Sequence, residues 1–333
     1  MNFSLAATDE QRENLDTLKR KLGRYWQSVG ALVVFVAMFA LVAISTPTFI
    51  GNGGLTIIAS ATAPIVMVAL GQAMVLNIGS IDLSNASITV LGALLLAMTL
   101  GPLGGLAPVI VILAVTLFGA INGLLIAFTQ VPSFALTLGT FGIFQSAALV
   151  VSGATTIYVS ENGGLISVLF QSGIAGLPFT YLIGVVLAIL AWAFLRFTRV
   201  GLAMTAIGKN ESGAIFSGMK TRWLKVLAFA LSGFMSGLAG IAIIAQAGSA
   251  SPMGLGSDLL LPGIAAAIVG GTSISGGVTN PINVVFGSMT VALVPIATAA
   301  IGVESQAQSL VYGAVIIITV ALTLSRSANS IVK

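Results

Sequence analysis

The ionisable residue nearest an apolar run of membrane-crossing length is Asp82. A carboxylate at the bilayer centre costs about 2.5–3.5 kcal/mol on insertion scales. Asp82 therefore either caps, at the inner interface, the helix that starts near Leu83, or faces a cavity. Gln72, Asn77, Asn122, Gln145 and Gln246 are uncharged polar groups within or beside other apolar runs, and Thr272 and Ser273 lie in a glycine-rich stretch. Each can hydrogen-bond a solute hydroxyl and so line a translocation path, and each can equally tie two helices together. The chain has no histidine and no cysteine. That removes imidazole relays, thiolate zinc sites and disulfides. The acids are not clustered, so no catalytic residue, metal site or resident cofactor is expected on this chain.

The elements that position these groups must be membrane helices. The chain is 57% hydrophobic and 7% charged, against about 25% charged in a soluble domain. Its mean hydropathy is +1.10. Apolar runs recur from Val29 onward at the length that crosses a core of roughly 30 Å as helix. The expected fold is an all-α polytopic membrane protein of about ten transmembrane helices, some broken. The expected spans are 29–46, 55–76, 84–100, 107–128, 134–152, 179–197, 223–247, 259–273, 281–301 and 307–325. Turn residues separate them, among them Gly101-Pro102, Val131-Pro132-Ser133 and Asn280-Pro281. The second span contains Pro64 and runs into Asn77-Ile-Gly-Ser-Ile-Asp82. The eighth is short and runs into Gly270-Gly-Thr-Ser-Ile-Ser-Gly-Gly277. Both stretches are poor helix and should be unwound, which at membrane depth requires burial in protein or a watery cavity. One break in each half of the chain fits either an internal repeat or ordinary loop glycine. Gly119-x-x-x-Gly123 and Gly233-x-x-x-Gly237 read as close helix packing.

All thirteen Lys and Arg fall in three islands. Arg12, Lys19, Arg20, Lys21 and Arg24 lie in the tail 1–28. Arg196, Arg199, Lys209, Lys220, Arg222 and Lys225 surround a central loop. Arg326 and Lys333 close the chain in the tail 326–333. Positive residues beside spans stay cytoplasmic, so both ends and the loop about 199–222 are expected inside. Six spans before the loop and four after it agree, since both counts are even. The net charge of +4 is thus a topology signal, and no nucleic-acid partner is implied. The tail carries Asp9, Glu10, Glu13 and Asp16, unlike a signal peptide. Leu15, Leu18, Leu22 and Tyr25 at helical spacing suggest either a surface helix capped by Thr8 and Gln11 or a frayed tail.

Within the central loop, Asn210 is a good N-cap and Glu211 favours the N-terminus that follows. Ala214, Ile215 and Phe216 continue a short helix over about 210–217, and Gly218 ends it. The helix presents Ile215 and Phe216 to the aqueous side, where they require either a partner surface or the lipid surface. A P-loop needs Gly-x-x-x-x-Gly-Lys-Ser/Thr to cradle phosphate. Here Gly208-Lys209 has Ala203 and Asn210 at the other key positions, which is not a P-loop.

The stretch Gly201 to Lys220 resembles the cytoplasmic coupling loop of ribose-type ABC importer permeases, a family covering ribose, galactose, xylose and autoinducer-2 systems. Gly201, Ala206, Gly208, Asn210, Glu211, Ala214, Ser217 and Gly218 match its pattern. Ala69-Leu-Gly-Gln72 with Ile81-Asp-Leu-Ser84, Val131-Pro-Ser-Phe134 with Thr137-Leu-Gly139, and Ile264-Ala-Ala266 with Gly270 to Gly277 match three further family segments in order. Gly79-Ser80 replaces the usual Gly-Gly, Asn85-Ala86 the usual Val-Gly, Lys209 a common Gly, Gly213 a common Ala, and Pro262 a common acid. These departures bear on the solute more than on the class. The resemblance implies a multi-pass permease of a bacterial cell inner membrane, with Gly208, Asn210, Glu211, Ala214, Ile215, Phe216, Ser217 and Gly218 as the segment gripped by a cytoplasmic ABC ATPase pair. It implies a second permease subunit, identical or homologous, and a periplasmic binding protein that delivers the solute. ATP and Mg would be held by the ATPase. The alternative is a secondary transporter driven by an ion gradient. Such proteins usually carry intramembrane charges, and this chain offers only Asp82.

Overall fold

The computed structural model describes residues 29–47, 49, 53–254 and 257–300, then 302, 304, 307, 309–314 and 317. The expected surface helix in 1–28, most of the span 307–325 and the tail 326–333 lie outside the described residues. Helices in chain order are α1 (Val29–Ser45), α2 (Gly54–Asn77), α3 (Asn85–Leu103), α4 (Ala107–Thr129), α5 (Ser133–Ser152), α6 (Gly164–Gln171), α7 (Phe179–Phe197), α8 (Arg199–Lys209), α9 (Glu211–Phe216), α10 (Thr221–Ala247), α11 (Leu260–Val269) and α12 (Pro281–Ala300). Residues 309–314 are helical as well.

Among the described residues, six stretches are long and apolar enough to cross a membrane. One of them, Asn85–Thr129, runs for 45 residues. At 1.5 Å per residue that is about 68 Å, more than twice a bilayer core of roughly 30 Å. A 3-10 turn at Gly104–Leu106 divides it into α3 and α4, with Gly104 at φ +52. The two helices then pack side by side, with a Cβ on Gly92 3.1 Å from Val115 Cγ1. The expected span 259–273 is reduced to the ten residues of α11, about 15 Å of helix. Gly271 at φ +85 turns the chain away, and the stretch through Asn280 is irregular, as expected. The segment after Asn77 is likewise unwound. Helix α2 is continuous through Pro64, so the proline removes one backbone bond without ending the helix.

Helix α2 is the centre of the molecule. From Ile58 to Asn77 every residue but the half-buried Ala61 is buried, as an all-round apolar helix must be. Val66, Leu70 and Ala73 pack with Met235 and Ala239 of α10, Ala265 and Ala266 of α11 and Val284 of α12. Small residues let the helices close. The two small-residue motifs face one another, since a Cβ on Gly119 would collide with Phe229 O and one on Gly233 with Val115 O. The outside of α4 is an apolar stripe of Ile110, Leu113, Leu117, Ile121, Leu124 and Phe128, all exposed, which suits lipid tails. Arg222 lies 5.4 Å from the Phe128 ring centroid, and Trp223 meets the same ring edge-on.

The connections gather at two ends. At one, residues 153–178 form a cap. Strand Ile157–Tyr158 pairs antiparallel with Ser249–Ala250, and Gly173–Ile174 pairs with Leu177–Pro178 across Ala175-Gly176. Positive φ at both of those turn residues is what such a two-residue hairpin demands. Asn162 Nδ2 donates to Leu100 O at 3.2 Å and Gly101 O at 3.1 Å, and Thr56 Oγ1 donates to Gly176 O at 2.7 Å. At the other end lie the break after α2, the start of α5, the α8–α9 segment and the loop after α11. Helix α7 joins the ends, so residues 153–178 and 199–220 lie on opposite sides of the helical layer.

Candidate functional site

The central loop of the sequence is two helices. Thr198 caps α8, its Oγ1 accepting from Gly201 N at 3.0 Å. A Cβ on Gly201 would collide with Phe194 O, so α8 folds back tightly beneath α7. Met204 and Ile207 enter a buried cluster with Val75, Ile126 and Phe229. Asn210 N closes α8 on Ala206 O at 3.0 Å, and Asn210 Oδ1 accepts from Gly213 N at 2.9 Å to open α9. One residue is thus the end of one helix and the N-cap of the next. Gly218, at φ +76, ends the turn, with Met219 N reaching back to Ala214 O. Glu211 pairs with Lys225 Nζ at 2.6 Å, which latches α9 to the first turn of α10. Ala214 is buried, whereas Ile215 is 54% and Phe216 92% exposed. Ser217 and Gly218 are exposed beside them.

The two unwound stretches meet each other and α8. Gly277 N donates to Asn77 O at 2.9 Å, and Asn77 Nδ2 donates to Thr205 Oγ1 at 3.1 Å. A Cβ on Gly208 would collide with both Asn77 O and Gly277 N. Gly208, the first residue of the segment that the resemblance assigns to the ATPase, packs against the two breaks. Thr272 is buried and bonded to Thr279, Oγ1 to Oγ1, at 2.8 Å. Ser273 is half-buried beside it and bonded to Ser275.

Deeper in, Asp82 is fully buried. Its Oδ1 accepts from Ser84 N at 2.9 Å and Ser84 Oγ at 2.6 Å, and its Oδ2 accepts from Ser232 Oγ at 2.8 Å. Asp82 bonds Ser84 in the turn just before α3, whose N-cap is Ser84 itself, without a side-chain cap bond. It is not marginal, however, because Ser232 lies eleven residues into α10, about 16 Å along the helix. Asn122 Nδ2 donates to Ser84 Oγ at 2.8 Å, Asn85 Nδ2 to Gln72 Oε1 at 3.1 Å, and Ser236 Oγ to Asn85 O at 3.0 Å. Gln72 Nε2, Asn85 Oδ1, Asn122 Oδ1 and Asn77 Oδ1 are buried with no partner among the described residues. Gln72, Asp82 and Asn122 therefore share one network that links α2, α3, α4 and α10. Ser84, Asn85, Ser232 and Ser236 belong to it and were not singled out from the sequence. The one signal for the last two was their spacing of four in an apolar helix, which aims both at one neighbour.

A family described as "Branched-chain amino acid transport system / permease component" matches residues 54–320. The chain belongs to this permease family. The D-allose transport system permease protein AlsC of Escherichia coli K12 is 29% identical over 307 residues, 90% of this chain and 92% of the relative. The ribose import permease protein RbsC of Bacillus subtilis 168 is 30% identical over 327 residues, 96% and 98% of the two chains. The autoinducer 2 import system permease protein LsrC of Escherichia coli O9:H4 is 31% identical over 265 residues, 79% and 76%. The resemblance carried by the motifs, to ribose- and autoinducer-2-type ABC importer permeases, therefore holds over most of the chain.

Two polar residues of the permease stand apart from the network. Gln145 lies at the cap end, where its Nε2 donates to Pro252 O at 2.6 Å. It lines an open cavity of about 500 Å³ with Phe141, Met253, Gly254 and Asp258. Gln246 is exposed near the C-terminal end of α10. The seven uncharged polar candidates and Asp82 are thus one buried network, one junction and two separate positions at the opposite end. Sequence spacing could not sort them, since which helices adjoin is a tertiary fact.

Proposed function

We propose that the permease is the membrane subunit of an ATP-driven importer in a bacterial inner membrane. Its solute is monosaccharide-like: a sugar, a polyol or an autoinducer-2-like molecule delivered by a periplasmic binding protein. The exposed tip of α9 carries this reading. Phe216 at 92% exposure is an apolar knob on a helix otherwise latched to the body, and such a knob wants an apolar pocket. That pocket belongs to a separate ABC ATPase, which holds ATP and Mg. The solute reading is supported by relatives named for ribose, allose and autoinducer 2. A second permease subunit, identical or homologous, completes the path, to which Thr272, Ser273 and Gln145 contribute polar contacts. Ten spans put both termini and the α8–α9 segment in the cytoplasm, and residues 153–178 outside. The positions of Arg222 and Lys225 at the α9 end favour this orientation.

Reporter fusions at 210–218 should read cytoplasmic and fusions at 155–165 periplasmic. The reverse pattern would remove the docking role of α9. Purified alone, the chain should turn over no ATP. Co-expressed with the ATPase and binding protein of its own operon, it should co-purify with the ATPase and take up solute in vesicles. ATP turnover by the chain alone, or uptake without an ATPase, would contradict the proposal.

A further inference from the structure

We propose that Gly208 is the joint through which the α8–α9 segment moves both unwound stretches together; this rests on the reading that α9 docks an ATPase. Gly208 has ordinary helical backbone, so conformation alone does not call for glycine there. In an open helix position, alanine would be favoured by about 1 kcal/mol. What excludes a side chain is space, since a Cβ would collide with Asn77 O at the end of α2 and with Gly277 N in the loop after α11. Those two atoms are bonded to each other at 2.9 Å. The facing positions are equally close. A Cβ on Gly276 would lie 2.8 Å from both Gly208 O and Gly79 N, and one on Gly277 would lie 2.8 Å from Lys209 N. Gly79, Gly276 and Gly277 have φ of +74, +89 and +73, backbone that other residues rarely adopt. Three segments therefore touch backbone to backbone.

That kind of contact transmits displacement. A long side chain between two segments can change rotamer and absorb a shift, whereas a backbone contact at van der Waals distance cannot. The path from the docking tip is short and stiff. Asn210 is shared by α8 and α9, leaving no flexible linker between Phe216 and Gly208. The bond from Asn77 to Thr205, one turn before Gly208, fixes the rotation of α8 against α2. A push on α9 thus reaches the end of α2 and the loop after α11 simultaneously. The glycines at this junction serve as a coupling, with Gly208 a positioning residue for both breaks.

The test uses the assembled importer in proteoliposomes. Gly208→Ala should keep the ATPase bound and its basal hydrolysis within about twofold, and lower uptake about tenfold, inside the roughly 5- to 150-fold span of such couplings. Unchanged uptake would overturn the joint. A second measurement does not depend on that variant folding. The chain contains no cysteine, so Asn77→Cys with Thr205→Cys gives a clean pair, closed by oxidation or by a short thiol-bridging reagent. Because the segments move as one body, closing the pair should leave uptake within about twofold of the reduced protein, well short of the 5- to 150-fold of a broken coupling. Uptake lost on closure and restored on reduction would show that α8 slides against the break, and the proposal would fail while the docking reading stood. Failure of the unsubstituted chain to bind any ATPase would instead remove the docking reading.

Discussion

A permease carrying Glu211→Lys and Phe216→Asp is expected to fold and reach the membrane and yet to take up no solute. Phe216 is almost wholly exposed, so its replacement costs the isolated chain little. In a docked complex the same ring fills a pocket, and burying a Phe contributes about 1.5–3 kcal/mol. An Asp in its place would have to be desolvated without a partner, or would hold the surfaces apart. Glu211→Lys sets a second cation against Lys225, where the 2.6 Å ion pair now stands. That pair is partly exposed and contributes about 0–1 kcal/mol to stability, so its loss frees α9 rather than unfolding the protein. The lost Phe burial alone removes about 1.5–3 kcal/mol of docking, a weakening of roughly 10- to 150-fold, to which the desolvation of the Asp adds. Pull-down of the ATPase and vesicle uptake check this, with thermal melting of the chain in detergent as the control. Normal uptake by the double variant would mean that α9 does not dock.

Much of this segment is legible in the sequence, because local chemistry decides it. Asn210 followed by Glu211 is an N-cap from residue type alone, and Gly218 is a terminator for the same reason. The apolar runs and the turn residues between them mark α2 to α5, α7, α10 and α12 within a few residues. Helix α8 reads as loop in the sequence, although Gly201, Met204 and Ile207 recur at helical spacing and are the residues it buries. Its two glycines and lack of a long apolar run masked that stripe. Helix α6 and the small strands of 153–178 are short, and the segment is held by non-local bonds such as Asn162 to Gly101 O and Val159 N to Gly248 O, which no local pattern encodes. The meeting of Asn77 with Gly277 is a pairing across most of the chain. Composition says that both stretches unwind, and only packing around α2 says that they unwind against each other. Charge patterning gives the side of the membrane and not the distance from it, so it does not say that Asp82 bonds Ser232 eleven residues into α10.

Asp82→Ala should sharply reduce the folded permease, and Asp82→Asn should not. Alanine removes the acceptor for three donors: Ser84 N–H, Ser84 O–H and Ser232 O–H. The hydroxyls can turn toward other acceptors, and interhelical bonds of that kind average only about 0.6 kcal/mol in membrane proteins. The Ser84 N–H cannot turn, and a buried orphan donor costs about 1–3 kcal/mol. The total, roughly 2–4 kcal/mol from the orphaned N–H and the two weaker hydroxyl bonds, is a large share of a stability of about 5–15 kcal/mol. Asparagine keeps an oxygen for the two Ser84 donors, and its amide N–H can donate to Ser232 Oγ, which reverses its role. Detergent-resistant monodisperse protein and thermal midpoint would measure the difference, with uptake normalised to folded protein. Equal loss in both variants would mean that the negative charge itself holds the network. Full stability of Asp82→Asn with abolished uptake would place Asp82 in the path of the solute, and its bonds to Ser84 and Ser232 would then be the resting state of a group that moves.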